Sequence, residues 1–379
     1  MLDKVILFPY YLTLKARHAI YDKGLKKTYK AEVPTICVGN ITVGGTGKTP
    51  HTEMILRLLL ESEEWGMKNI AVLSRGYKRR SRGFQQVTEN SGAGFAGDEP
   101  AQLKKKFPVV TVAVCSNRVE GCHFLARPED LTVSKKGRRC RDKQMRAADL
   151  IVLDDAFQYR KLRADFNVVL IDYNRPVHKD SLIPLGDLRD LPERIKDADA
   201  LIVTKCPAFM ESWEKVNYLE AAGLQYDPET CTATLQSGKK ISVFFTAINY
   251  CPLKPVYPEK ADPRYGYSQR AILVTGIAKS APLRRYVGGQ FKVVHHFRFS
   301  DHHRFSNSDI KAIMSAAESA PTAAVITTEK DAQRLMDKKI MPDSLKEKLF
   351  CIPIEADFLS REEKELFVKL MLEKAKRQD

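Results

Sequence analysis

The sequence predicts an α/β protein whose core is a mainly parallel sheet with helices on both faces. Apolar runs rich in β-branched residues alternate with helical patterns, and they lie at residues 34–38, 70–74, 109–114, 150–153, 168–171 and 201–204. Such alternation is typical of βαβ units, which build parallel sheets. A glycine-rich loop directly follows the first run. We therefore predict a three-layer core of the P-loop NTPase type, followed by a smaller C-terminal α/β domain.

Three segments are predicted along the chain: a membrane-interface segment at 1–30, the P-loop core at 31–229 and the smaller domain at 230–379. Beyond residue 230, further apolar runs lie at 241–245, 271–275, 293–297, 323–327 and 349–353. A proline-rich stretch at 251–258 indicates an extended linker. The basic stretch at 135–146 has no apolar period, which favours a solvated loop, with phosphate or membrane contact as the alternative.

The charge of the chain indicates an anionic partner. Its 62 Lys and Arg residues against 47 Asp and Glu residues give a formal net charge of +15 at pH 7. A surplus of this kind favours nucleic acid, an anionic membrane or a phosphorylated substrate. Aromatic residues do not alternate with the basic runs as base-stacking platforms would, so we expect no nucleic-acid partner. The eight cysteines form no C-x-x-C pair, which argues against a zinc site, and no protein partner is evident.

The first 30 residues are predicted to contact a membrane surface. An apolar and aromatic run at 5–14 precedes a group of basic side chains, namely Lys15, Arg17, His18, Lys23, Lys26 and Lys27. Such a segment can lie among lipid headgroups with its cations on anionic lipid. The alternative is a helix packed on the protein core. No run approaches the roughly 20 apolar residues of a membrane-spanning helix, so we expect a peripheral protein.

The glycine-rich loop is the strongest local signal in the sequence. It reads Thr42-Val-Gly-Gly-Thr-Gly-Lys-Thr49 and separates a predicted strand from a predicted helix at 51–60, as a P-loop does. Thr42 stands where the strict pattern has glycine. We predict that backbone N–H groups of this loop face phosphate oxygens, that Lys48 reaches the β- and γ-phosphates, and that Thr49 ligates Mg²⁺. The predicted nucleotide-binding residues are Gly44, Gly45, Thr46, Gly47, Lys48 and Thr49.

A pair of carboxylates at the end of a predicted strand supports this assignment. Asp154 and Asp155 follow the run at 150–153, where a carboxylate can hold Mg²⁺ or its waters opposite Thr49. A turn or a helix cap is the alternative for such a pair. No guanine-reading Asn-Lys-x-Asp motif follows the later strands, and Thr204-Lys205-Cys206-Pro207 is the nearest substitute. The predicted nucleotide is therefore ATP.

Polar residues after two other strands predict a substrate site. Arg75 and Gly76 follow one strand, and Asn117 and Arg118 follow another. In open α/β sheets, ligands bind in the crevice at the carboxyl ends of the strands. We predict that these four residues bind substrate, and that Arg189 closes on nucleotide or substrate phosphates. An ordinary turn is the alternative at each place.

Eight short motifs run in order across nearly the whole chain, at 38–50, 73–77, 97–100, 153–158, 185–190, 275–278, 301–303 and 328–331. Together they resemble the tetraacyldisaccharide 4'-kinase family, the lipid A 4'-kinases. The resemblance implies transfer of the ATP γ-phosphate to the 4'-hydroxyl of a tetraacylated glucosamine disaccharide 1-phosphate, at the cytoplasmic face of the inner membrane. It also implies a second domain that closes over the nucleotide. A P-loop ATPase or GTPase acting on another anionic partner is the alternative.

The resemblance also implies roles for residues that local sequence leaves ambiguous. Asp98 would accept the proton of the sugar hydroxyl, and His302 would hydrogen-bond Asp98, although Gly-Asp-Glu-Pro at 97–100 is also ordinary turn chemistry. Asp190 would join Thr49, Asp154 and Asp155 around Mg²⁺. The chain departs from the family pattern at three positions, where it has Ala156, Tyr159 and Asp190.

Overall fold

The computed structural model describes residues 2–337 and 341–376, so the outermost residues of the predicted segments 1–30 and 230–379, and residues 338–340, lie outside the described part. The strands within that part are β1 (Tyr29–Lys30), β2 (Thr35–Asn40), β3 (Ile70–Ser74), β4 (Gln85–Val87), β5 (Thr111–Val114), β6 (Leu150–Asp154), β7 (Leu162–Arg163), β8 (Phe166–Asp172), β9 (Ala200–Thr204), β10 (Gln225–Asp227), β11 (Thr232–Thr234), β12 (Lys240–Tyr250), β13 (Lys254–Pro255), β14 (Arg270–Thr275), β15 (Lys292–Arg298), β16 (Ala324–Thr328), β17 (Leu349–Ile352) and β18 (Ile354–Phe358).

The α-helices of the described residues are α1 (Leu2–Asp22), α2 (Lys48–Glu61), α3 (Ala93–Ala96), α4 (Asp98–Lys106), α5 (Arg118–Ala126), α6 (Asp130–Val133), α7 (Ser212–Glu220), α8 (Pro263–Gly266), α9 (Ala281–Gln290), α10 (Asn307–Ser319), α11 (Glu329–Met336), α12 (Asp343–Lys346) and α13 (Arg361–Ala375). Short 3-10 helices lie at Gly137–Arg139, Val177–Lys179 and Pro192–Asp197. Each apolar run predicted as a strand forms one, and the α/β fold class is confirmed. The basic stretch at 135–146 contains one 3-10 turn and is otherwise irregular.

A large mixed sheet forms the main core. Its order through the described residues is β10-β11-β12-β9-β8-β2-β6-β3-β5-β4, and β18 pairs with β12 off this path. The strands from β12 to β5 in this order are parallel to one another. Every residue of β2, β6 and β9 is buried, because helices cover both faces of the sheet. The ends of these strands bring the predicted site residues to one edge.

A smaller sheet lies between β12 and β18 in the sequence. Its order in the described residues is β13-β17-β16-β14-β15, and all of these strands except β13 run parallel. It has its own apolar clusters, which include Phe305, Ile310 and Leu273.

Sheet membership divides the chain differently from the boundary predicted at residue 230. The strands β10, β11 and β12 belong to the large sheet, and so does β18 near the carboxyl end. The long strand β12 explains the difference: Ser242 to Phe245 pair with β9, and Thr246 to Tyr250 pair with β18. The smaller domain is therefore inserted into the larger one, and spans about residues 254–352.

Helix α1 packs on the large domain through one face. Leu7 and Leu14 are buried in its core, and His18 Nε2 lies 2.6 Å from Asp190 Oδ1. The other face leaves Phe8 55% and Leu12 46% exposed. One face of α1 therefore packs on the core, as the alternative to membrane contact predicted. The predicted membrane contact concerns the exposed face. Within the described residues, no helix combines the length and apolarity needed to cross a bilayer.

Candidate active site

The glycine-rich loop joins β2 to α2, as predicted for a P-loop. Gly44 and Gly47 have φ values of 89° and 88°, a left-handed conformation that glycine adopts without strain. The loop is tied to the sheet, because Asn40 Nδ2 donates to Thr46 Oγ1 at 2.7 Å and Thr204 Oγ1 donates to Thr46 O at 2.9 Å. Lys205 Nζ donates to Gly45 O. These bonds fix the loop against β2 and β9.

His51 supports the loop from within α2. The ring is buried, with Nδ1 2.7 Å from Gly47 O and Nε2 2.8 Å from Thr246 Oγ1. Burial lowers the His51 pKa to about 4, so the imidazole is neutral at pH 7. A carbonyl oxygen only accepts, so Nδ1 must donate to Gly47 and Nε2 must accept from Thr246. His51 thereby connects the P-loop to β12.

The two carboxylates at the end of β6 differ in environment. Asp154 is buried; its Oδ2 accepts from Ser74 Oγ at 2.9 Å, and its Oδ1 has no hydrogen-bond partner among the described residues. Burial, followed by the charges of Glu99 and Asp155, raises the Asp154 pKa to about 7. Asp155 has a left-handed φ of 50°. Although burial opposes the effect, Lys48 and Arg189 hold the Asp155 pKa below its usual value.

Cations surround Asp155, and three of them are residues predicted from the sequence. Lys48 Nζ lies 3.9 Å from Asp155 Oδ2, and Arg189 pairs with Asp155 and donates to Asn40 Oδ1 at 2.5 Å. Arg118 Nη2 lies 3.4 Å from Asp155 O, and the buried Nε atoms of Arg118 and Arg189 have no partner in the part of the chain that the structure describes. The arrangement concentrates guanidinium and ammonium groups at the end of β6, and such groups are suited to binding phosphate.

Arg75 and Gly76 line a cavity of about 420 Å³, which Ser116 at the end of β5 also lines. Its other lining residues include the cationic Lys78, Arg79 and Arg82. Gly76 has a φ of 66°, and a Cβ there would lie 2.7 Å from Ala96 O, so a side chain does not fit. Arg75 and Gly76 thus lie at a basic cavity, and their predicted substrate role stays a prediction.

The Asn117 side chain makes two hydrogen bonds within the protein. It caps α5, where its Oδ1 accepts from Glu120 N at 3.4 Å, and it also accepts from Tyr159 Oη at 3.0 Å. These contacts place Asn117 beside Arg118 at the end of β5. Its predicted substrate role stays a prediction.

Asp190 is engaged by residues outside the predicted magnesium group, and its role in that group stays a prediction. Its carboxylate is buried and accepts from Leu191 N at 2.9 Å, with His18 on the same oxygen and Arg194 Nε 3.6 Å from the other. The sequence placed Asp190 beside Arg189, but neighbouring residues in this extended stretch point in different directions. Arg189 reaches Asp155, and Asp190 anchors α1.

Asp98 and His302 meet across the two domains, as the resemblance implied. Asp98 begins α4 of the large domain, and its Oδ2 lies 3.1 Å from His302 Nδ1 of the smaller one. Arg334 of α11 also donates to Oδ2, through Nε at 2.7 Å. Burial acts to raise the Asp98 pKa, but the bonds from His302 and Arg334 outweigh it, and the pKa lies below its usual value. Asp98 is therefore ionised at neutral pH.

Helix α11 supplies further charges that face α4. Lys330 Nζ lies 2.5 Å from Glu99 Oε1, and Lys106 Nζ lies 3.3 Å from Glu329 Oε1. Sequence reasoning did not single out Arg334, Glu99 or Lys330. Glu99 and Lys330 lie within two of the quoted motifs, and their place in those motifs could have marked them as candidate site residues. Arg334 lies three residues beyond its nearest motif, so no local pattern marked it.

Comparison with known proteins identifies the family. The sequence model of the family described as tetraacyldisaccharide-1-P 4'-kinase (LpxK) matches residues 4–374. The chain belongs to this family. A tetraacyldisaccharide 4'-kinase of Parabacteroides distasonis is 36% identical over 372 residues, covering 96% of this chain and 92% of that protein. One of Phocaeicola vulgatus is 36% identical over 354 residues, covering 93% and 88%.

A solved structure of the same family has the same fold. The LpxK crystal structure from Aquifex aeolicus, described as an "apo" form in complex with ATP, superimposes with a TM-score of 0.69 at 26% identity. The match covers 99% of this chain and all of that one. Family membership confirms the resemblance seen in the sequence and the expectation of an ATP-dependent kinase. The alternative of a P-loop ATPase or GTPase with another anionic partner is not favoured.

Proposed function

We propose that this chain transfers the γ-phosphate of ATP to the 4'-hydroxyl of a tetraacylated glucosamine disaccharide 1-phosphate, with Asp98 as the base. In this step a bond forms between the 4'-oxygen and the γ-phosphorus, and the bond from that phosphorus to the bridging oxygen of ADP breaks. The hydroxyl proton passes to Asp98. An ionised carboxylate can accept this proton as the new bond forms, which removes the main obstacle to attack by an alcohol.

One observation supports the proposal: the residue that follows Asp98 lies within electrostatic range of the P-loop lysine. Glu99 follows Asp98 directly, and its pKa is lowered first by Lys330 and also by the P-loop Lys48. Lys48 therefore lies within electrostatic reach of the residue beside the base. An alcohol bound near Asp98 would face the γ-phosphate held by Lys48. Arg118 and Arg189 add donors at Asp155 for the same phosphate groups.

The residues at the end of β6 fit a magnesium ion. The buried Asp154 Oδ1 has no protein partner among the described residues, and a carboxylate oxygen of this kind suits a hard cation or its water. Thr49, in the first turn of α2, would provide the hydroxyl ligand that a P-loop provides. Bound Mg²⁺ would neutralise charge on the phosphates. Asp155 is engaged by Lys48 and Arg189, so we assign it to holding these cations in place.

A transfer assay tests the function, and its pH dependence tests the Asp154 assignment. We expect radiolabel to move from [γ-³²P]ATP to the purified lipid disaccharide only when Mg²⁺ is present. A carboxyl group with a pKa of about 7 is largely protonated at pH 6 and ionised at pH 8. The affinity for Mg·ATP should therefore rise from pH 6 to pH 8 in the wild type, because only the ionised group attracts the cation.

Asp154→Asn should bind Mg·ATP weakly and without this rise. ADP binding in EDTA serves as the control, since it needs no cation. No transfer of label to the lipid would contradict the proposed function. Transfer by the wild type combined with the same pH dependence in Asp154→Asn would contradict only the assignment of Asp154.

We also propose that the exposed face of α1 contacts the cytoplasmic surface of the inner membrane, where the lipid substrate would be reached. Phe8 and Leu12 are exposed one turn apart on the same helix. The basic Lys15 follows them on α1, next to the ring of Tyr11. Apolar groups with cations beside them suit the interface of an anionic bilayer.

Substitution of the exposed face tests the membrane proposal without unfolding the helix. We expect Phe8→Ser/Leu12→Ser to lower co-sedimentation with vesicles of phosphatidylglycerol and phosphatidylethanolamine by roughly 10-fold, because two apolar side chains no longer enter the interface. Trp213→Ser removes another aromatic residue, 63% exposed, and should leave sedimentation unchanged. Equal sedimentation of wild type and double variant would refute the contact.

A further inference from the structure

An ion pair between Glu99 and Lys330 crosses the interface between the two domains. Glu99 is the second residue of α4, and Lys330 is the second residue of α11. Their side chains meet at 2.5 Å and are about one third exposed, at 28% and 33%, so solvent reaches both groups. Within the described residues, Glu99 is the only hydrogen-bonding partner found for Lys330 Nζ. The lysine is therefore bound by a single contact.

Other carboxylates lie within electrostatic range of this pair. Glu99 raises the Asp154 pKa, and Asp155 opposes ionisation of Glu99. Burial acts to lower the Lys330 pKa, but Glu99 outweighs it and the pKa is raised. Lys330 is thus a charged ammonium group whose field reaches the carboxylates at the P-loop.

Nucleotide binding would change the competition for this ammonium group. A γ-phosphate held by Lys48 would place negative charge near Glu99, because Lys48 lies close enough to Glu99 to lower its pKa. Glu99 and the phosphate oxygens would then compete for the same cation. Charge on the equatorial oxygens of the transferred group is the main feature that a kinase must stabilise.

We propose that Lys330 moves from Glu99 to the γ-phosphoryl oxygens of ATP, so that the smaller domain contributes a catalytic cation to the transfer. Lys330 forms no covalent bond in this step; its ammonium group donates hydrogen bonds to oxygens whose charge develops as the phosphorus leaves ADP. Glu99 holds the lysine when the nucleotide is absent. This inference rests on the proposed binding of ATP at the P-loop.

The other cations of α4 and α11 are less suited to this role. Arg334 already donates to Asp98, Asp331 and Gly276 O, so its fork is occupied. Lys106 contacts Glu53 at 2.6 Å as well as Glu329, and both of these acids hold it away from exchange. Lys106 nevertheless forms an ion pair across the same interface, with Glu329. It provides a matched control for a purely structural effect.

Nucleotide binding separates a catalytic lysine from a structural one. Four variants are measured: Lys330→Met, Lys330→Arg, Glu99→Gln and Lys106→Met. Isothermal titration with ADP and with a non-hydrolysable ATP analogue, both with Mg²⁺, gives the affinity ratio of the two nucleotides. We expect Lys330→Met to weaken binding of the analogue roughly 10-fold and to leave ADP binding unchanged, because one charge-assisted contact with the γ-phosphate is lost. Glu99→Gln should strengthen binding of the analogue, because Lys330 is freed from its partner.

Turnover completes the test. We expect Lys330→Met to lower kcat by roughly 10²-fold to 10³-fold, and Lys330→Arg to retain part of the rate. Lys106→Met should lower the melting temperature. Its ratio of nucleotide affinities should equal that of the wild type, and its kcat should stay near the wild-type value. The proposal is overturned if Lys330→Met and Glu99→Gln weaken binding of the analogue equally. It is also overturned if Lys106→Met shows the same changes in affinity ratio and kcat as Lys330→Met. A wild type that binds neither nucleotide would instead contradict the proposed function.

Discussion

Lys48→Ala is expected to abolish phosphoryl transfer, with a loss of roughly 10³-fold or more in kcat. The lysine begins α2 at the P-loop and lies 3.9 Å from Asp155, with no other salt bridge in the described residues. Its removal takes the cation from the β- and γ-phosphates, whose charge grows in the transition state. The fold should survive, because only one long ion pair is lost. The transfer assay measures kcat, and thermal melting measures stability.

Thr49→Ala should cause a comparable loss through the magnesium ion, since it removes the hydroxyl ligand and leaves Lys48 in place. Arg57→Ala is the matched control on the same helix: Arg57 pairs with Glu355 at 3.2 Å, near the other end of α2. It should keep near-wild-type transfer. Turnover close to wild type in purified Lys48→Ala would disprove the P-loop assignment, and equal losses in Arg57→Ala would indicate damage to the helix.

The second large effect is expected at Asp98. Asp98→Asn should lower kcat by roughly 10²-fold or more with little change in ATP affinity, because an amide cannot accept the hydroxyl proton. The asparagine can still accept hydrogen bonds from Arg334 and His302 through its carbonyl oxygen, so the interface between α4 and α11 should persist. Single-turnover kinetics would isolate the chemical step. If ATP binding weakens while kcat holds, Asp98 contacts the nucleotide and the base lies elsewhere.

His302 should have a smaller effect that depends on Asp98. It contacts Asp98 at 3.1 Å and adopts a left-handed φ of 58°, a costly conformation that the surrounding contacts must maintain. We expect His302→Ala to lower kcat less than Asp98→Asn, and the double variant to lose less than the product of the two. His303→Ala is the control, because His303 pairs with Asp309 instead. Independent, multiplicative losses would show that the two residues do not act together.

Local sequence was enough to predict most of the strands and the P-loop. Strands such as β2 and β6 consist of buried apolar residues, and burial on both faces leaves a continuous signal. The glycines of the loop mark a conformation that other residues seldom adopt. The family resemblance then predicted the meeting of Asp98 and His302, which are 204 positions apart in the chain. No local pattern could have predicted that contact.

Side-chain direction and strand pairing were harder to predict. Asp190 lies beside Arg189 in sequence, yet it turns to His18 of α1, a partner 172 positions away. The division at residue 230 differed from the structure because β12 pairs with β9 early in its length and with β18 later. Such pairing depends on chain segments far apart in sequence. Arg334 reaches Asp98 by the same kind of long-range contact, across 236 positions.

The insertion of the smaller domain also affects how the protein is made. The strand β18 and helix α13 complete the large domain, and they follow the whole smaller domain in the chain. During synthesis, the P-loop half leaves the ribosome first but lacks β18 beside β12 until the whole smaller domain has been made. The smaller domain, whose strands are contiguous, can fold as a unit before that moment. The nucleotide site is thus assembled around a sheet that receives β18 only after the smaller domain has been translated.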